Sequence, residues 1–270
     1  MDHPLSILNI GGHPIDAIQY SGGTLAKHAE RGDRVCNLTP THGVSHHLAA
    51  IDAYEASGKQ PDMEGLIEER RREFAEATRA LGIEDARFLG YDDQITTLDR
   101  DIIADIADVI GEVRPDIIIT HWPYDSVPAH ANATQMTLQA MSAAGGIRPG
   151  KSYMPHKVTQ VFFHSLPGLT NVLENLNTRI PTTLIDISAV ADKKKRAVAR
   201  FSTQYQSASE SDSDGPELVF ADLPAIHNRV PHAESFVAYN AEVHGYLPVS
   251  EFALKVARMS RKEEHEALGL

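Results

Sequence analysis

Cysteine is nearly absent from this sequence of 270 residues, which contains Cys36 and no second cysteine. A disulfide scaffold and a zinc module built on cysteine are therefore excluded. Basic residues are also scarce, because 25 Lys and Arg stand against 37 Asp and Glu and leave a net charge of −12 with histidine neutral. A chain with this acidic balance is not expected to bind nucleic acid or an anionic membrane through charge.

Long hydrophobic runs are missing as well, since no apolar stretch approaches the ~18 residues that a membrane-spanning helix needs. Residues Met1 to Pro4 lack the basic segment and the apolar core of a secretory signal peptide. We therefore expect a cytoplasmic protein with no membrane association. The length is sufficient for one large domain with a core of its own.

The sequence does contain an alternation of short apolar runs and helical patterns. Strands are predicted for residues 6–10, 35–39, 86–89, 116–120, 158–163 and 182–187, and helices for 17–31, 63–81, 99–113, 132–144 and 189–206. This alternation predicts an α/β fold of the Rossmann-like type, with a mostly parallel sheet and helices on both faces, in a single domain spanning 1–270. The small acidic stretch 207–216 predicts a surface loop, and 217–270 a mixed helical C-terminal part.

Histidine is unusually frequent, with 14 residues against 8 Tyr, 8 Phe and 6 Met. His13 and Asp16 lie in the loop after the first predicted strand, and His130 opens the helix that follows the fourth. Loops after parallel strands meet at one edge of a sheet, and two imidazoles with one carboxylate are a suitable ligand set for catalytic zinc. The alternatives are a surface or hydrogen-bonded role for each histidine and a helix cap for Asp16.

Three segments together resemble the LmbE/PIG-L deacetylase superfamily: GGHPIDAIQYSGGTLAKHAERGDRV at 11–35, RPDIIITHWPYDSVPAHANAT at 114–134, and AESF at 233–236. The resemblance covers most of the chain in order. It implies that His13, Asp16 and His130 are the three ligands of a zinc ion, although other divalent transition metals bind the same donors. It also implies a homo-oligomer.

Three positions depart from the motifs of that superfamily. Ile15 stands where the family has an Asp as general base, and Val127 and Ala129 replace a His and an Asp of the second loop. The loss of acid–base groups costs about 10²–10⁴-fold in rate. The departures resemble one branch of the superfamily, the 4-oxalomesaconate hydratases. This implies a metal-dependent hydratase that adds water to a small unsaturated oxo-carboxylic acid.

Two other functions stay open at this point. The chain is alternatively a zinc-dependent N-deacetylase or amidohydrolase with a substitute base, or an inactive homologue that binds a metal or a ligand. For a working enzyme, the acid–base candidates are His42 and His46 after the second strand, His164 at the end of the fifth, and Asp125 in the metal loop. A solvated or structural role is the alternative for each of them.

The substrate is expected to be a small acidic or polar molecule. Arg70 is a candidate for binding a substrate carboxylate, because its planar guanidinium fits a carboxylate with two hydrogen bonds. Its alternative is a surface charge paired with Glu73 or Glu69. Tyr124 and Trp122 are candidates for the wall of the pocket, with ordinary packing as the alternative for Trp122.

Overall fold

The structure is a computed structural model that describes residues 3–45, 47–94, 97–164, 182–203 and 230–267. The strands are β1 (Ser6–Ile10), β2 (Arg34–Thr41), β3 (Asp85–Tyr91), β4 (Ile117–Thr120), β5 (Gln160–His164), β6 (Thr183–Asp186) and β7 (Ala233–Ala238). The helices are α1 (Asp16–Gln19), α2 (Gly22–Arg31), α3 (Leu48–Ser57), α4 (Met63–Ala80), α5 (Arg100–Val113), α6 (Pro128–Ala144), α7 (Ala191–Val198), α8 (Glu251–Ala257) and α9 (Arg261–Ala267).

All seven strands belong to one sheet, in the order β3-β2-β1-β4-β5-β7-β6. Strands β1 to β5 are parallel, and β7 is antiparallel to both of its neighbours. This confirms the predicted α/β fold with a mostly parallel sheet. Strands β2 and β3 extend the sheet on one side of β1, and β4 and β5 extend it on the other. The loops that follow β1 and β4 therefore open beside each other, at the point where doubly wound folds bind ligands.

Helices cover the sheet on both faces and bury two hydrophobic clusters. One cluster joins α1, α2, α4 and α7 to the sheet and includes Leu25, Phe74 and Phe201. The other joins α5 and α6 to the opposite face and includes Ile106 and Met136. Strands β1 and β4 lie between these layers, which explains why their sequences are mostly apolar rather than alternating.

The helix predicted for 17–31 is divided in the structure into α1 and α2. The Ala17 carbonyl accepts a hydrogen bond from the Asn9 side chain at 2.9 Å, and the Ser21 hydroxyl donates to the same amide group. Glu234 of β7 accepts the backbone N–H groups of Gly23 and Thr24 at 2.8 and 2.7 Å. These tertiary hydrogen bonds replace those of a continuous helix.

The helix predicted for 189–206 is also shorter, because α7 ends at Val198. Past its end, Glu73 of α4 accepts hydrogen bonds from Ser202 and from the backbone and hydroxyl of Thr203. A buried carboxylate therefore takes the N–H that would have extended the helix.

Two elements were not predicted. Helix α3 was missed because its polar and apolar residues are not separated onto two faces, and Ile51 and Tyr54 are exposed. Strand β7 lies within 217–270, the part predicted to be mixed helical, and its Glu234 is an unusual residue for a buried strand. Lys194 of α7 lies 2.9 Å from Glu234 and compensates its charge. The predicted surface loop 207–216 lies outside the described residues.

Candidate metal centre

Three side chains from the loops after β1 and β4 converge at the carboxyl edge of the sheet. Asp16 Oδ2 lies 2.8 Å from His13 Nδ1 and 3.0 Å from His130 Nε2, and the two imidazole nitrogens are 3.3 Å apart. This donor set, with two imidazoles and one carboxylate facing one another, fits a divalent transition metal. The structure therefore brings together the residues that the sequence predicts as ligands.

The local sequence explains how each ligand is placed. The backbone N–H of His13 donates to Asp16 Oδ2 at 2.8 Å, which folds the loop back so that both side chains point the same way. Pro128 is the first residue of α6, a position where proline is favoured because its missing N–H needs no partner. Helix α6 therefore begins before the predicted residue 132, and His130 is a buried residue of its first turn.

The charges of the centre are strongly coupled in the metal-free protein. Burial alone would raise the pKa of Asp16, but His130 and His13 outweigh it and hold that pKa well below its usual range. Burial alone would lower the pKa of His130, but the Asp16 carboxylate and a hydrogen bond to Asp125 raise it to about 10. The site therefore holds an imidazolium–carboxylate pair where a metal would take the place of the proton.

Asp125 contacts the second ring nitrogen of His130, the one that does not face Asp16. Its Oδ2 atom lies 3.2 Å from His130 Nδ1, and its Oδ1 atom accepts the N–H of Val127 at 2.9 Å. A carboxylate on the second nitrogen of a ligating histidine fixes the orientation of the ring and increases its basicity. The geometry thus favours an orienting role for Asp125 over the predicted role in proton transfer.

His121 is a part of the site that sequence reasoning missed. Its ring stacks on that of His130 with centroids 4.0 Å apart, and its Nε2 accepts the N–H of Gly12 at 2.8 Å. Burial and the nearby His130 hold the pKa of His121 well below its usual value. A neutral imidazole whose Nε2 lone pair is occupied supports the His130 ring by stacking, and His121, Asp125 and His130 also form a second group of donors that could hold a metal. The available signal was its position directly after β4.

His164 ends β5 and is 3% exposed. Its ring stacks on Tyr20 at 5.2 Å and meets His121 edge-on at 5.2 Å, and the Tyr20 ring also lies 6.1 Å from that of His130. Burial lowers the pKa of His164 to about 3, so the imidazole is neutral at pH 7. Within the described part of the chain, neither ring nitrogen has a hydrogen-bond partner.

The other predicted acid–base histidines lie beside this cluster. His42 is buried with its Nδ1 atom 3.1 Å from Asp93 Oδ1, and it also accepts the N–H of Val44. His46 lies outside the described residues. The neighbouring His47 caps α3 by accepting the N–H of Ala50. The structure thus ties His42 to a carboxylate, whereas it leaves His164 with both nitrogens unpaired among the described contacts.

The three predicted substrate-binding residues differ in their burial and in their contacts. Arg70 is 2% exposed and binds Glu73 at 3.2 Å, so it is a buried ion pair rather than a surface charge, and its Nε atom has no partner among the described residues. Trp122 packs edge-on against Phe163 of the core at 5.9 Å. Tyr124 is mostly exposed and lies edge-on to Trp122 at 6.0 Å.

The side chains at the three substituted positions cannot accept or donate a proton. Ile15 is buried in the hydrophobic cluster on the α1 side of the sheet. Val127 precedes α6 with an exposed side chain, and Ala129 follows in the first turn. The predicted ligands His13, Asp16 and His130 therefore lie together, while the side chains at positions 15, 127 and 129 cannot exchange a proton.

The fold and this ligand set agree with what sequence comparison finds. The family model PIG-L, GlcNAc-PI de-N-acetylase, matches residues 8–141. The chain therefore contains a PIG-L family region at residues 8–141, which is part of the single seven-stranded sheet. That match contains all three predicted ligands. No helix in the described ranges of the chain is long and apolar enough to cross a membrane.

The relatives of this domain include enzymes of two kinds. A 1D-myo-inositol 2-acetamido-2-deoxy-alpha-D-glucopyranoside deacetylase from Kineococcus radiotolerans is 31% identical over 60% of this chain, and the match spans about half (52%) of that enzyme. A 4-oxalmesaconate hydratase from Pseudomonas putida is 25% identical over 72% of this chain and 71% of that enzyme. The crystal structure of 4-carboxy-2-hydroxymuconate hydratase from Pseudomonas putida shares the fold, with a TM-score of 0.75 at 21% identity over 90% of this chain and 100% of that one.

Proposed function

We propose that this chain is a zinc-dependent hydratase that adds water to the double bond of a small unsaturated oxo-carboxylic acid. The observation that carries the proposal is a complete His₂Asp ligand set whose hydrolytic acid–base positions are occupied by Ile15, Val127 and Ala129. Similarity to the Pseudomonas putida 4-oxalmesaconate hydratase supports the same substrate class. Its sequence identity of 25% is too low to carry the proposal without the site.

His13, Asp16 and His130 would hold the metal in this proposal. When bound, the metal supplies a Lewis acid that polarises a substrate oxygen and lowers the pKa of water. Asp125 keeps the His130 ring in the ligating orientation through the contact at 3.2 Å. His121 packs behind the same ring and, being buried, excludes water from that side.

Addition of water joins a hydroxyl group to one carbon of the double bond and a proton to its neighbour. The chain must therefore exchange protons close to the ligands without an acid or base at positions 15, 127 and 129. We assign this task to His164, because its neutral ring is buried next to Tyr20 and His121 and the described contacts leave both of its nitrogens without a hydrogen-bond partner. A neutral histidine accepts a proton at one nitrogen and donates one from the other.

Arg70 is our candidate for holding a carboxylate of the substrate. Glu73 occupies its Nη1 atom, but Nε is buried without a partner among the described contacts, which is costly unless a ligand satisfies it. The position of Arg70 is fixed from behind, because Glu73 is itself held by Ser202 and Thr203.

The alternative function is an amide or N-acetyl hydrolase that uses a substitute base. It is favoured by the 31% identity to a deacetylase. It is disfavoured by the apolar side chains at the positions that would activate water and protonate the leaving amine, because general acid–base catalysis contributes about 10²–10⁴-fold.

One paired assay tests the two functions. Zinc-loaded protein is given a conjugated oxo-dicarboxylic acid, and loss of ultraviolet absorbance is followed together with a product heavier by one water. The same preparation is given N-acetylglucosamine conjugates, and free amine is measured. We expect hydration that is absent in Asp16→Ala. Ready release of amine, or turnover of neither substrate class by metal-loaded protein, would contradict the proposal.

A further inference from the structure

His47 is a buried histidine to which the proposed reaction gives no role. It is 2% exposed and lies immediately before α3. Its Nδ1 atom accepts the N–H of Ala50 at 3.2 Å, so the proton of the neutral ring is on Nε2. This Nε2–H group is shielded from water and has no hydrogen-bond partner among the described residues. A buried donor without an acceptor destabilises a protein unless a ligand supplies the acceptor.

Arg70 of α4 presents a second buried donor of this kind. Its Nε–H group also lacks a partner among the described contacts, although Glu73 accepts a hydrogen bond from Nη1 at 3.2 Å. The two side chains act on each other, because burial and then the positive charge of Arg70 lower the pKa of His47. His47 is therefore neutral near pH 7 and offers the Nε2–H group as its remaining donor.

The two buried carboxylates whose charges act on Arg70 are occupied by other groups. Glu73 accepts hydrogen bonds from the Ser202 hydroxyl and from the backbone and hydroxyl of Thr203. Asp93 accepts hydrogen bonds from the backbone and hydroxyl of Ser45. Within the described ranges of the chain, neither carboxylate reaches the two unpaired donors. The missing acceptor must therefore come from a bound molecule.

The loop that carries His47 packs directly on the loop of the predicted metal ligands. Gly43 has a φ of +64°, and a Cβ atom at this position would lie 2.9 Å from Pro14 Cδ and 3.3 Å from His13 Cβ. A side chain here would be both strained and crowded, so glycine permits the close approach of the two loops. A small substrate at the metal centre therefore has this loop as its neighbour.

We propose that His47 and Arg70 together bind one carboxylate of the substrate, with one oxygen accepting His47 Nε2–H and the other accepting Arg70 Nε–H. The inference rests on the proposed function, in which Arg70 holds a substrate carboxylate, and it adds His47 as a specificity-determining residue. A carboxylate supplies two acceptor oxygens and a charge opposite to that of Arg70. An amide of the same shape supplies one acceptor oxygen and adds N–H groups that find no acceptor. The pocket therefore selects an acid over its amide.

Two reciprocal variants separate this role from the capping of α3. The side-chain oxygen in His47→Asn can still cap the helix, but no donor reaches the place of Nε2. The longer amide in His47→Gln keeps a donor near that place and is a poor helix cap. Calorimetry on zinc-loaded protein measures binding of succinate, which has no double bond to hydrate, and of succinamide as the amide probe. His156→Asn is the matched control, because His156 contacts the carbonyl of Pro115 away from the pocket.

We expect succinate to bind His47→Asn about 10–100-fold more weakly than the wild type, the usual effect of losing a hydrogen bond to a charged group. His47→Gln should bind succinate more tightly than His47→Asn does, although it should unfold at a lower temperature. The control should bind as the wild type does. For the substrate of the proposed reaction, His47→Asn should raise KM with little change in kcat.

The inference and the proposed function fail in different ways. Equal affinity of the wild type and His47→Asn for succinate, no binding of succinate by the wild type, or equally tight binding of succinamide would overturn the inference. Equal losses in the Asn and Gln variants would also overturn it, since His47 would then act only on the fold. These binding measurements need no turnover, so they decide the role of His47 even where hydration is absent. Hydration with the same KM in the wild type and His47→Asn would overturn this inference alone.

Discussion

The ligand side and the proton-transfer side of the metal pocket differ in how completely their polar groups are paired. On the ligand side, Asp16 contacts both predicted ligand histidines, and Asp125 contacts the far nitrogen of His130. On the proton-transfer side, Ile15 is apolar, and the described contacts leave both nitrogens of His164 unpaired.

This difference shows that metal binding and proton transfer place different requirements on the side chains of the site. A preorganised ligand set requires charges that satisfy one another before the metal arrives, and this pairing fixes the ring orientations. A proton-transfer group must instead keep a nitrogen available to substrate. In the proposed function the predicted ligands keep the first property and His164 supplies the second away from positions 15, 127 and 129, so that the same fold would serve a different reaction.

The largest expected effect comes from removing the unpaired imidazole. His164→Asn should lower kcat of hydration by about 10²–10⁴-fold, the usual contribution of acid–base catalysis, with little change in KM. Metal content should stay at the wild-type value, because His164 is not a ligand in this account. Steady-state kinetics together with elemental analysis checks both parts.

The matched control for that change is His156→Asn. His156 Nε2 lies 2.8 Å from the carbonyl of Pro115, in a structural contact outside the pocket. Its substitution should leave kcat within about twofold of the wild type, because a substitution away from the reacting groups affects stability rather than the rate of the chemical step. Equal losses in the two variants would show that His164 acts only through packing.

A smaller effect is expected on the ligand side from Asp125→Asn. The amide oxygen still accepts the N–H of Val127, but the negative charge beside His130 Nδ1 is lost. We expect metal binding to weaken by about 10–100-fold, the usual cost of losing such a partner. Competition with a chelator measures this affinity. Asp108→Asn, at a carboxylate that binds Arg148 and Lys151, should bind metal as the wild type does.

The smallest effect, counted per pH unit, is a pH dependence of metal uptake. The pKa of His130 is raised from 6.5 to about 10 in the metal-free protein, so near neutral pH the metal must displace its proton. Apparent affinity should rise about tenfold per pH unit in this range. Calorimetry in two buffers with different ionisation enthalpies should show release of one proton.

The same titration predicts how the stability of the metal-free protein changes with pH. Folding raises the pKa of His130, so the protonated His130 stabilises the folded state. This contribution to the free energy of unfolding is complete below about pH 6.5 and is lost as pH rises towards 10. Asp16→Asn removes the charge that holds the proton, and its unfolding temperature should change less over this range. An equal decline in wild type and variant would contradict the assigned coupling.

Most of the sheet, and the convergence of His13, Asp16 and His130 at its edge, could be predicted from sequence for physical reasons. Strand β1 matches its predicted bounds of Ser6–Ile10, because a strand buried on both faces is apolar along most of its length. The ligand loops could be placed because both follow parallel strands at a reversal of strand order. These signals are local in sequence, and the fold only assembles them.

The features that the sequence did not predict depend on contacts between residues that are distant in the chain. The division between α1 and α2 is caused by Glu234, more than two hundred residues away. The support of His130 by His121 needs the close approach of Gly12 to a histidine ring. No pattern within a window of sequence carries this information, so the missed features are those in which a side chain replaces a backbone hydrogen bond or stacks on a ligand.

The most direct test of the account is metal content per chain in the wild type and in Asp16→Ala. Asp16 Oδ2 is the atom that both ligand histidines approach within 3.0 Å. We expect about one divalent metal per wild-type chain, because the chain has one such ligand set, and none in the variant. A folded wild type that takes up no zinc after chelator removal and dialysis, or a variant that retains a full equivalent, would contradict the metal centre.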